Sequence, residues 1–114
     1  MKNGKGKLFY YDKKIRFEGY FFGEEKIGKG KVYDRNGKLV FEGEYRNNRR
    51  NGKGKEYHDD ILIFEGEYLN GERWNGKEID INSKEEIFYN NGKKIIKERN
   101  KKKKNRFYYD DNEI

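Results

Sequence analysis

A chain of 114 residues holds one domain at most. Only 32% of it is hydrophobic against 43% charged, so a thick aliphatic core is excluded and the 17% of aromatic residues must carry a thin one. There is no Cys, which excludes disulfides and thiolate metal sites, and neither an apolar leader nor a run of roughly 18 apolar residues is present; a cytoplasmic setting is expected.

The net charge of +7 is unevenly spread. Residues 93–106 hold Lys93, Lys94, Lys97, Arg99, Lys101, Lys102, Lys103, Lys104 and Arg106 against the single acid Glu98, a segment charge of +8 that leaves −1 for the rest. An anionic surface would be met by that segment alone. Its lysine run has no interleaved aromatics, so specific nucleic-acid reading is not expected.

In chain order, the elements repeat. Gly4-Lys5-Gly6-Lys7 returns as Gly28-Lys29-Gly30-Lys31 and Gly52-Lys53-Gly54-Lys55, and decays to Gly76-Lys77-Glu78, with first glycines 24 residues apart. Phe41-Glu42-Gly43-Glu44-Tyr45 recurs unchanged as Phe64-Glu65-Gly66-Glu67-Tyr68, and more weakly as Phe17-Glu18-Gly19-Tyr20-Phe21. Such a period marks one supersecondary unit stacked on its neighbours, and places function on a repeated surface. Each unit reads as two short strands. In the second, residues 30–33 form a strand, Asp34-Arg35-Asn36-Gly37 a turn, residues 39–45 the returning strand, and residues 46–52 a polar connection. His58-Asp59-Asp60 takes the turn position in the third unit.

Alternation puts Phe41, Gly43 and Tyr45 on one face with Glu42 and Glu44 on the other, and likewise Phe64, Gly66 and Tyr68 against Glu65 and Glu67. One face is then an aromatic ladder with glycine slots, each expected to be filled by a ring from the next unit. The other is acidic, opposed by Lys31 and Lys55. The fourth unit departs from the pattern. Residues 78–81 still alternate, residues 87–93 restore a strand and an Asn-Gly turn, and Phe107-Tyr108-Tyr109-Asp110 repeats Phe9-Tyr10-Tyr11-Asp12, so the sheet is expected to continue to the C-terminus.

These phrases resemble the MORN repeat (membrane occupation and recognition nexus) over residues 3–77, the regular units. Residues 78–114 are degenerate, and from residue 83 they are closer to a shorter bacterial antitoxin-type variant. The resemblance implies a single domain over residues 1–114: an all-β, elongated, single-layer antiparallel meander of about four and a half hairpin units. It also implies a non-enzymatic interaction or scaffold module contacting a protein partner or a second copy of itself. Two alternatives follow: an antitoxin or immunity protein that occludes a toxin, and a peripheral binder of acidic phospholipid through residues 93–106. The family carries no catalytic residues, and no cofactor, metal or small-molecule substrate is expected.

The residues themselves give little chemistry. His58 lacks a second His or Cys to complete a ligand set and reads as a solvated turn residue. The Gly-Lys-Gly-Lys phrases lack the spacing and the Ser or Thr of a phosphate loop. The recurring glutamates lie on an open strand face and read as cross-strand partners of lysine. Partner contact is expected on the aromatic face at Phe41, Tyr45, Phe64 and Tyr68, joined by Trp74, which falls in a connection where other units have Lys26 or Arg50.

Overall fold

The computed structural model describes residues 2–98 and 106–109, with the backbone alone for residues 2, 96–98 and 106–109. They form β1 (Lys2–Phe9), β2 (Ile15–Gly23), β3 (Glu25–Tyr33), β4 (Leu39–Arg46), β5 (Arg49–His58), β6 (Ile61–Leu69), β7 (Glu72–Ile79), β8 (Glu86–Asn90), β9 (Lys93–Glu98) and β10 (Arg106–Tyr109). All ten join one antiparallel sheet in sequence order, and among the described residues there is no helix. The body measures 58 × 28 × 20 Å. The elongated single-layer meander is therefore the fold, and it runs on through β10 as the Phe-Tyr-Tyr repeat implied.

The polar stretch 46–52 is not a connection. Asn47 and Asn48, with φ of 50° and 70°, make a two-residue hairpin, and β5 begins directly at Arg49. Asp59-Asp60, Asn70-Gly71 and Asn91-Gly92 do the same with positive φ at both central residues. Such turns match the right-handed twist of the strands they join, and Asn and Asp tolerate the conformation. The turns also lock successive hairpins: Asn48 N, Gly71 N and Gly92 N donate to the carbonyls of Lys26, Arg50 and Trp74 at 3.1, 2.7 and 2.8 Å.

One register rule orders β1 to β7. Gly6, Gly19, Gly30, Gly43, Gly54, Gly66 and Gly76 are Cα partners in succession, a row of bare backbone crossing seven strands. Gly76 thus takes the place of the second glycine, Gly54, and not of the first, as the 24-residue count suggested. The reason is local. Two extra residues bulge out of β5 between Arg50 and Gly54 opposite Tyr45 and Gly43, but only one out of β7 between Arg73 and Gly76, and the hairpin that joins Gly54 to Gly66 is one residue shorter than the one that joins Gly30 to Gly43.

Phenylalanine rings lie on this row. A Cβ at Gly19 or Gly30 would stand 2.8 or 2.6 Å from the Phe17 ring, and one at Gly43 or Gly54 2.7 or 2.8 Å from that of Phe41. Each ring therefore covers the glycine of its own strand and that of the following one. The ring from the next unit reaches the second of these, as Tyr68 does at Gly54 (2.7 Å). Edge-to-face contacts tie the rings together: Phe17–Tyr45, Phe41–Tyr68 and Phe64–Tyr89 between units at 5.4, 5.3 and 5.5 Å, and Phe17–Phe21, Phe41–Tyr45 and Phe64–Tyr68 within them at 5.6, 5.8 and 5.5 Å.

A single layer has no second sheet to close over such a ladder. Cations close it instead. The side chains of Lys26, Arg50 and Arg73 stand 4.8, 3.9 and 4.5 Å from the centroids of Phe17, Phe41 and Phe64, and each also reaches the Tyr of the next unit. Phe41, with glycine backbone beneath and a guanidinium above, is 0% exposed. Crowding by Arg16 and Arg50 adds to burial in pushing the Lys26 ammonium below its usual pKa.

Gly43→Val and Gly54→Val should each cost at least about 1–3 kcal/mol in urea unfolding. At Gly43 the new side chain meets the Lys53 carbonyl at 2.6 Å and the Gly54 Cα at 2.7 Å, backbone that cannot step aside. Glu65→Thr, on the opposite face with a solvent-exposed side chain, should stay within about 0.5 kcal/mol. Equal effects from the two classes would overturn the face assignment.

Candidate functional site

The face opposite the rings is open. Lysine and glutamate alternate along it in Cα register: Lys7, Glu18, Lys31, Glu42, Lys55, Glu65 and Lys77. A second row pairs Lys29 with Glu44 and Lys53 with Glu67. Between the rows runs the glycine backbone, and the result is a groove of about 1520 Å³ spanning β1 to β6. Six lysines and five glutamates line it, so it is close to neutral and offers both signs of charge at strand spacing.

Several of these groups are held in place. Tyr33 and Tyr57 donate to Glu18 and Glu42, both at 2.8 Å. Desolvation first, then the neighbouring carboxylate, pushes both phenols up to about 12, so they remain donors at neutral pH. Lys53 N donates to Glu44 Oε1 at 2.7 Å, and Lys55 faces Glu65 at 3.8 Å. The first unit differs. Tyr20 stands where the regular copies have Glu44 and Glu67 and is exposed, at 44%, and it lines the groove at β2 as the exposed Phe9 does farther along, opposite Ile15. One end of the groove is therefore aromatic. The irregular phrase Phe17-Glu18-Gly19-Tyr20-Phe21 carried that signal; it reads as a weak copy until the faces are known.

The aromatic contact residues lie elsewhere. Phe41, Tyr45, Phe64 and Tyr68 are all buried, with Tyr45 the most open at 8%, so they form the core and present no surface. Trp74 is half-buried against Gly92, where a Cβ would come within 2.8 Å of its ring, and its carbonyl holds that turn. The residue equivalent to Arg50 is Arg73, since Tyr45 faces Arg50 and Tyr68 faces Arg73. Of the basic segment, Arg99, Lys101, Lys102, Lys103 and Lys104 lie outside the described residues. Lys93, Lys94 and Lys97 are in β9, and Arg106 begins β10 opposite Glu98. His58 is exposed, 3.5 Å from Asp59. Among the described residues no cluster of His, Cys, Asp or Glu suits a metal ion.

The densest group of ionisable side chains surrounds Arg73. Its Nε and Nη2 donate to Glu56 at 2.8 and 2.9 Å, and Nη1 donates to Glu78 Oε1 at 2.6 Å and to the Tyr89 hydroxyl at 3.1 Å. Tyr68 also donates to Glu56, and Tyr89 to Glu78 at 2.8 Å. In β1 and β3 the positions of Glu56 and Glu78 are Leu8 and Val32, opposite Phe17 and Phe41 as the acids are opposite Phe64. The third unit thus exchanges an aliphatic flank for a fork of two carboxylates on one guanidinium. Buried side-chain polar atoms among the described residues all find partners, and this cluster reads as a clasp on the ring stack with no reactive group left open.

Comparison with protein-family models gives no match, and comparison with curated proteins gives none either.

Burial drives the Glu56 carboxyl upward, but hydrogen bonds from Arg73 and Tyr68 and the charges of Arg73 and Arg50 outweigh it and hold it below its ordinary 4.5. The stabilisation is therefore complete above about pH 4.5 and is lost as pH falls through the lower, folded-state value. Glu56→Gln should lose about 1.5–3 kcal/mol at pH 7 and show a flatter decline in stability between pH 5 and pH 3, measured by urea unfolding at each pH. Parallel pH profiles for the two proteins would remove the clasp from the account.

Proposed function

We propose that the chain is a non-enzymatic, MORN-type interaction module that binds a protein partner across its Lys/Glu groove. The observation that carries this reading is the asymmetry of the sheet's two faces. The aromatic face is sealed by Lys26, Arg50 and Arg73, whereas the face with alternating charge is open along six strands. A nearly neutral groove carrying both signs selects a surface that also carries both, which proteins supply and polyanions do not. The repeat resemblance supports a contact role, and the closed, fully bonded Arg73 cluster agrees with it.

Proteins captured from the source organism by the intact chain would then be titrated, once purified, against two variants. Lys29→Glu with Lys53→Glu, in mid-groove, should weaken partner binding by about tenfold or more. Binding should also fade as salt shortens the Debye length from about 10 Å at 0.1 M to about 3 Å at 1 M. Changing Lys101, Lys102, Lys103 and Lys104 to Ser should leave it intact. The reverse outcome, with loss only in the four-lysine variant and sedimentation of the intact chain with anionic vesicles, would transfer the contact to residues 93–106. Concentration-dependent sedimentation that is abolished by the groove variant would make the partner a second copy.

A further inference from the structure

The lysine-bearing strands obey a rule that one of them breaks. β3 lies between β2 and β4, and β5 between β4 and β6, so each Gly-Lys-Gly-Lys strand is flanked on both sides by a strand of the Phe-Glu-Gly type. β1 carries the same Gly-Lys-Gly-Lys phrase but, among the described residues, pairs on one side only, with β2. Its outer side has no neighbouring strand among the described residues, which leaves a Gly-rich sheet edge.

The missing neighbour has left its imprint in side-chain space. Gly30 and Gly54 are buried beneath Phe17 and Phe41, rings supplied by the strand that precedes each of them. Gly6 holds the same register position and is partly exposed. In β5 the preceding strand also supplies Glu44, which lies over Gly52, 2.4 Å from where a Cβ would stand, and accepts from Lys53 N. The corresponding positions in β1 and β3 are Gly4 and Gly28, around each of which a Cβ would meet no atom within 4 Å: β2 carries Tyr20 in place of that glutamate, and β1 has no preceding strand among the described residues.

The geometry points to the outer edge of β1 as an acceptor for an antiparallel strand of Phe-Glu-Gly-Glu pattern from a partner protein. The incoming Gly would face Gly6, its Phe ring would cover Gly6, its first Glu would face Lys7 and its second would enter the space at Gly4 beside Lys5. Backbone pairing supplies affinity and the alternating side chains supply register, the logic of strand addition to a sheet edge. A second copy is the poorer occupant: two β1 strands paired about Gly6 would set Lys5 against Lys7 of the other chain, and like charges directly opposite are destabilising. The inference rests on the reading of the chain as a protein-binding module, and it places the strand site at the sheet's edge, apart from mid-groove.

The probe is a fluorescein-labelled peptide with the chain's own sequence over residues 39–46, titrated against the full-length protein by anisotropy. Saturable binding is expected. Replacing both peptide glutamates by lysine should weaken it about tenfold or more, as should Lys5→Glu in the protein. Gly6→Val should remove binding by filling the ring's seat. Should Gly6→Val lose its β circular dichroism, Lys5→Glu decides. Lys29→Glu with Lys53→Glu should bind the peptide as the unmodified chain does, so failure of the edge site and failure of the groove reading remain separable. The inference is overturned if no saturation is reached at the peptide's solubility limit. It is equally overturned if the lysine peptide binds as well as the glutamate one, or if folded Lys5→Glu and Gly6→Val chains bind unchanged.

Discussion

Contact between an aromatic ring and bare glycine backbone is the constraint on which the sheet depends. A single antiparallel layer buries little, and a side chain at any of the positions from Gly19 to Gly76 along this row would strike a ring or the backbone of the neighbouring strand. With glycine there, Phe17 and Phe41 lie flat across two strands each and meet the next tyrosine edge-on. Glycine inside a strand ordinarily costs stability through entropy and lost packing. Here that cost is offset by the burial of a whole ring, worth about 1.5–3 kcal/mol for a large apolar side chain.

The same constraint explains why cations sit on the hydrophobic side. A ladder one ring thick has an outer surface that water would reach, and the fold has no second layer to cover it. Lys26, Arg50 and Arg73 cover the rings with their stems and charged heads, satisfying the π faces while keeping contact with solvent. At the third unit the cover is reinforced by Glu56 and Glu78, which turn Arg73 from a lid into the centre of a hydrogen-bonded fork. The two faces differ accordingly: one is occupied with the ring stack and its cover, and the other presents paired lysines and glutamates on an open surface.

Much of this was legible in the sequence. The period, the strand pairs, the Asn-Gly turns and the assignment of Phe41, Gly43 and Tyr45 to one face against Glu42 and Glu44 all follow from alternation and turn chemistry. What escaped was depth. Alternation says which face a ring takes but not whether something covers it, so Phe41 and Tyr68 read as contact residues when they are core. The cover comes from Arg50 and Arg73, which sit beside two-residue turns inside stretches that look like polar loops. Counting also misled. A fixed step of 24 aligned Gly76 with Gly52, because residue spacing cannot reveal that the β5–β6 hairpin and the bulge in β7 are each one residue shorter than their counterparts in the unit before. The Arg73 fork left no local signature, since its members are spread over β5, β6, β7 and β8 and are joined only by register.

Each unit lends a phenylalanine forward and receives a tyrosine from the next, while the turn of each hairpin hangs on a carbonyl of the one before it. Copy number is therefore a measure of length. Inserting or removing one whole repeat keeps every ring over its glycine and every lysine opposite its glutamate, and it changes the groove by two strands, about 9.5 Å at the usual strand spacing. Half a repeat does not, because it would set lysine strands side by side. The lattice can lengthen only in whole steps, and a sheet of this kind grades reach without altering the chemistry of its surface, like a rule cut in fixed divisions.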